Sequence, residues 1–79
     1  MTGDVPSDRL QAELEEVEST LASVRRTVAD IRASIGDAED PADRGSLIQQ
    51  ADEQDSVADQ LAVRRDDLLR RLADARADG

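Results

Sequence analysis

Residues 10–35 read LQAELEEVESTLASVRRTVADIRASI, and the apolar positions in this stretch decide the fold. They are Leu10, Leu14, Val17, Leu21, Val24, Val28, Ile31 and Ile35, separated by alternating steps of four and three residues without a miss. On a helix that spacing collects every apolar side chain on one narrow stripe. A stripe of this kind is covered by one further helix lying along it. The rest of the chain must supply that helix or the stripe stays in water.

Residues 47–75 offer the second stripe. The same alternation passes through Leu47, Ala51, Gln54, Ala58, Leu61, Arg65, Leu68, Leu72 and Ala75, two of them polar. Folding the chain back so that paired residue numbers sum to about 82 sets Leu10 on Leu72, Leu14 on Leu68, Leu21 on Leu61 and Ile35 on Leu47. Large then meets small at Val24 over Ala58 and at Ile31 over Ala51, as dense packing requires. Val17 faces Arg65 and Val28 faces Gln54. Arg65 is expected to lay its stem along the seam and carry its guanidinium out to water.

Charge predicts the same antiparallel pairing. The first helix is acidic early, at Glu13, Glu15, Glu16 and Glu18, and basic late, at Arg25, Arg26 and Arg32. The second repeats the order, from Asp52, Glu53, Asp55 and Asp59 to Arg64, Arg65, Arg70, Arg71 and Arg76. Each helix complements its own dipole, and side by side in opposite directions each acidic half lies along a basic half. Glu13 with Arg71 and Arg25 with Asp55 are the expected flanking pairs.

The expected fold is therefore all-α, a two-helix antiparallel coiled-coil hairpin. Residues 1–7 read as a disordered arm with Ser7 as N-cap, and the first helix as 8–35, closed by Gly36 in the left-handed conformation. The loop is 36–40 or 36–45. Asp40-Pro41 reads as an N-cap and first helical residue, and Ser46 with Gln49 as a second, firmer start after Gly45. The second helix runs to about 77, and residues 78–79 fray.

Composition limits how such a hairpin is stabilised. The 79 residues include 18 Leu, Ile, Val and Met and 12 Ala, but no aromatic residue and no cysteine. Neither large rings nor disulfides reinforce the seam, and a single core in a chain of this size supplies only about 3–5 kcal/mol. Self-association or a partner is expected. Ile48, Val57, Ala62 and Leu69 flank the seam of the second helix on both sides and are the candidate partner or dimer face. The first helix adds a strip of small residues at Ala22, Ala29 and Ala33. Two hairpins are expected to dimerise, mainly through the second helix, into a four-helix bundle.

The net charge of −9 comes from 13 Asp, 6 Glu and 10 Arg, with neither lysine nor histidine. Two accounts of that balance stand, adaptation to high salt and a GC-rich genome that favours arginine codons. Strong acidity argues against nucleic acid and anionic membrane as partners. No apolar run reaches the length of a signal peptide or a membrane span, so the expected compartment is the cytoplasm.

No catalytic, cofactor or metal site is expected. Without histidine, acid–base chemistry near neutral pH would fall to a shifted carboxylate. Asp37, Glu39, Asp40 and Asp43 crowd the loop, but without the order and glycine of a calcium-binding loop. The arginine pairs Arg25-Arg26, Arg64-Arg65 and Arg70-Arg71 are phosphate-binding candidates. The E-x3-S-x2-R-x3-Q-x3-D motif of the two-helix anti-sigma factors that bind cyclic di-GMP is met only at Glu18 and Arg25. Ala22, Ala29 and Ala33 stand at its other positions, and the chain is not assigned to that family. The expected function is a non-catalytic interaction protein, an adaptor, assembly factor or accessory subunit that pairs with itself or with another helical protein. The alternative is a ligand- or partner-responsive regulator, an antitoxin or anti-sigma-like hairpin that uses its surface arginines.

Overall fold

The computed structural model describes residues 5–78, and side chains from 7 to 77. Two helices account for all but three of these residues: α1 spans Val5–Asp37 and α2 spans Pro41–Asp78. They pack against each other in opposite directions as an all-α hairpin. Two ion pairs, Glu13 with Arg64 and Arg32 with Asp55, bridge the helices along its length. The Cα extents are 60 × 15 × 12 Å, a rod rather than a ball. Its radius of gyration of 17.8 Å compares with about 12 Å for a compact chain of this length.

The core is one line of side chains. Leu14, Val17, Leu21 and Val28 of α1 are buried, as are Ala51, Ala58, Leu68 and Leu72 of α2. Leu14, Val17, Leu68 and Leu72 form one cluster with Leu10 and Leu61 packed against it, toward the end of the rod that holds the termini. The half near the connection is thinner. There α2 offers Ala51, Gln54 and Ala58, and Val24, Ile31, Ile35 and Leu47 stay only half-buried. Alanine brings the backbones close but has too little side chain to cover an isoleucine.

The polar seam residues behave as their chemistry requires. Arg65 is half-buried, and its guanidinium leaves the seam to meet the Asp66 carboxylate, with Nε donating at 3.1 Å. Gln54 is half-buried, and among the described residues no buried side-chain nitrogen or oxygen lacks a hydrogen-bond partner.

The helix ends differ from the sequence reading in three places. First, α1 begins at Val5, so Ser7 lies inside the helix rather than capping it. Pro6 suits a first turn, because its φ is already helical and the N–H it lacks would have no partner there. The part of the expected arm at residues 1–4 and the fraying expected at Gly79 lie outside the described residues, while Asp78, also expected to fray, is helical. Second, Gly36 does not close α1, which continues to Asp37, and no described residue has a positive φ. The turn is made instead by a tightened last bond, Ala38 N donating to Ile35 O at 3.3 Å. Arg44 from α2 then donates to the Ala38 carbonyl at 2.7 Å, a cation set at the end of a helix whose own last turn carries no basic residue. Third, of the two starts read from the sequence, the one at Asp40-Pro41 is used and Ser46 is not a helix start. α2 begins at Pro41 and runs through Gly45. The Asp40 carboxylate accepts from Ala42 N at 2.9 Å and the Asp40 carbonyl from Arg44 N at 3.0 Å. One good cap at Asp40 makes a second start unnecessary.

Candidate interaction flanks

The two interhelical ion pairs mark the two flanks of the seam, and each acidic partner chooses an arginine one heptad from the expected one. Glu13 accepts from Arg64 Nη2 at 3.1 Å, not from Arg71. Arg71 is held within its own helix by Asp67, Nε to Oδ2 at 3.0 Å and four residues away. Asp55 pairs with Arg32, not Arg25. A seven-residue step returns to nearly the same face of a helix, advancing it by only about 20°. Sequence periodicity therefore identifies the flank but not which of two arginines on it is in reach.

The flank marked by Glu13 and Arg64 has little unspent chemistry. On α1 it carries Glu13, Thr20, Thr27 and Ser34. The three hydroxyls donate to their own helix, at the carbonyls of Glu16, Ser23 and Asp30, at 3.0–3.1 Å. On α2 it carries Val57, exposed, and the two arginines at 64 and 71. A groove of about 240 Å³ opens here between Glu13, Glu16, Val17, Thr20, Leu61 and Arg64. It is smaller than the roughly 300–1,000 Å³ of ordinary ligand pockets, and Glu13, Arg64 and Thr20 are already bonded to one another or to the backbone, leaving the Glu16 carboxylate.

The flank marked by Arg32 and Asp55 is different. In steps of seven, α2 sets Ile48, Asp55, Ala62 and Leu69 on it. Ile48 is 45% and Leu69 46% exposed, and Ala62 is half-buried. The four residues of the expected partner face thus divide, three on this flank and Val57 on the other. Val63, 70% exposed, sits alone on the outer side of α2. The exposed alanines Ala22 and Ala29 of α1 lie toward the Arg32–Asp55 side, and Ala33 points further outward.

What the sequence reading missed is the row bordering this apolar strip. Asp52, Asp59 and Asp66 stand between its members, each three or four residues from its neighbours in the strip, and all three are exposed. From Ile48 to Leu69 the positions on this side of α2 hold four aspartates and no arginine. Of the arginines of that stretch, Arg64 sits on the opposite flank and Arg65 in the seam, from which its guanidinium reaches out to Asp66. Asp55 is paired with Arg32 and Asp66 with Arg65, whereas Asp52 and Asp59 have no ion-pair partner among the described residues. The signal was present as a seven-residue period in aspartate, which a search for apolar periodicity passes over.

Four arginines of α2 are engaged locally, Arg65 with Asp66 among them. Arg70 and Arg71 share Asp67, and Arg44 closes the turn. Arg25 and Arg26 are exposed and make no ion pair among the described residues. The loop acids do not converge: Asp40 is committed to its cap, and no group of three or more acidic residues among those described could hold a metal ion. No described helix is long and apolar enough to cross a membrane. Compared with known proteins, the chain matches no family model, no curated protein and no solved structure.

Proposed function

We propose that this hairpin is a non-catalytic interaction module, an adaptor or accessory subunit that works by offering the open flank of α2 to a further helix. One observation carries the reading: Ile48 and Leu69 remain nearly half exposed beside the seam, on a chain whose own core is a single row. The accessible surface supports it. At 5,705 Å² it exceeds the roughly 4,700 Å² of a compact chain of 8.6 kDa by about 1,000 Å², more than the roughly 800 Å² each partner gives up in an ordinary interface. The further helix belongs to another helical protein or to a second copy, the latter completing a four-helix bundle.

The alternative, a regulator responding to an anionic ligand, draws on Arg25 and Arg26, the adjacent arginine pair without a carboxylate among the described residues. One set of variants separates the two. Partner capture from host extract, with light scattering on the purified chain, should show a complex that Leu69→Asp dissolves and Arg25→Ala leaves intact. Loss with Arg25→Ala and retention with Leu69→Asp would contradict the module and favour the regulator.

A further inference from the structure

The acid-edged flank narrows what the partner must be, and this step rests on the interaction reading above. Ile48, Ala62 and Leu69 are the apolar members of a row interrupted by Asp55, which is paired with Arg32, and Asp52, Asp59 and Asp66 edge it in the same seven-residue register. An incoming helix that covered the strip with its own apolar stripe would bring its bordering side chains against that row. Acidic borders would meet Asp52 and Asp59 as like charges in a partly desolvated contact. Basic borders would meet Asp52 and Asp59, two carboxylates with no ion-pair partner among the described residues, the unpaired Arg25 of the same flank standing on α1 rather than on α2.

The same argument weighs against a second copy. Two hairpins that joined α2 to α2 through this flank in opposite directions would lay one row of aspartates beside the other. Each chain also brings a net charge of −9 to the encounter. We infer that the flank Ile48–Ala62–Leu69, edged by Asp52, Asp59 and Asp66, docks an amphipathic helix of a different protein whose apolar stripe is bordered by arginine or lysine at heptad spacing.

The test uses the full chain and a synthetic amphipathic helical peptide of about 20 residues, with leucine along one stripe and arginine on its border. A second peptide carries glutamate in place of arginine. Peptide anisotropy reads the affinity, circular dichroism checks that each variant folds, and light scattering gives the mass of the chain alone. The arginine peptide should bind and the glutamate peptide should not. Ile48→Asp with Leu69→Asp, and separately Asp52→Asn with Asp59→Asn, should each weaken binding about tenfold or more. Glu53→Gln with Asp74→Asn removes the same charge from another row of α2 and should change it less than about twofold.

Equal weakening by the two charge-removing pairs would overturn the inference, since the attraction would then be general acidity rather than this row. Binding of neither peptide, or of both alike, would also overturn it. A chain that is dimeric alone and becomes monomeric with Ile48→Asp and Leu69→Asp would overturn it in a distinct way. A second copy would then occupy the flank, and the interaction module itself would stand.

Discussion

Leu68 alone among the described residues is both large and wholly without solvent exposure, and it sits at the centre of the cluster with Leu14, Val17 and Leu72. Val63, five residues earlier on the same helix, is 70% exposed. Truncating the two to alanine separates packing from propensity. Leu68→Ala should cost about 2–5 kcal/mol, from lost transfer energy and the cavity left behind, while Val63→Ala should stay within about 0.5 kcal/mol. Urea titration followed by helical circular dichroism measures both. Asp40 makes a second residue-scale case. Its carboxylate satisfies the Ala42 N–H at the start of α2, so Asp40→Ala should cost about 0.5–2 kcal/mol, and Asp40→Asn much less.

At the scale of the element, α2 contains a weakness that the structure makes correctable. Gly45 lies in the first turns of α2 with no positive φ, and a Cβ placed there would meet no atom within 4 Å. Gly45→Ala should therefore stabilise the hairpin by about 0.5–1 kcal/mol. In a domain of this size, that is a rise in melting temperature of a few degrees. A fall would mean the helix is broken at Gly45, as its sequence context alone suggests. The interhelical ion pairs matter less. The side chains of Arg32 and Asp55 are 57% and 40% exposed, so Arg32→Ala should cost under about 1 kcal/mol, and less in molar salt, where the Debye length is about 3 Å.

Elements were easier to foresee than their ends. The alternating spacing from Leu10 to Ile35 is long and unbroken, and only one secondary structure makes it a single stripe. Helix ends depend instead on single residues that compete. Ser7 offered a cap, but Pro6 before it was already suited to a helical turn. Gly36 offered a left-handed close, but Arg44, eight residues on, reached back to cover the Ala38 carbonyl instead. That contact spans only six residues but needs the first turn of α2 to be helical, so a reading of residues 30–40 does not contain it. The partner flank was half legible for a similar reason. Its apolar members stand out in the sequence on either side of the seam, while the aspartates beside them that lack an ion-pair partner are seen only in the folded chain.

At the scale of the whole molecule, the rod is long, its core is one row deep, and its loop half is covered by alanine. Everything proposed about its flanks presupposes that α1 and α2 lie side by side in one chain, rather than as one continuous helix or an exchange between chains. With no native cysteine, spin labels go only where they are placed. Ser19 and Val63 are both exposed, on the outer faces of α1 and α2 at about the same level of the rod. Ser19→Cys with Val63→Cys, labelled and diluted into unlabelled protein, should give a single electron–electron distance of about 20–30 Å, the width of two packed helices with their side chains. A distance near 66 Å, the length of 44 residues in one uninterrupted helix, would contradict the hairpin.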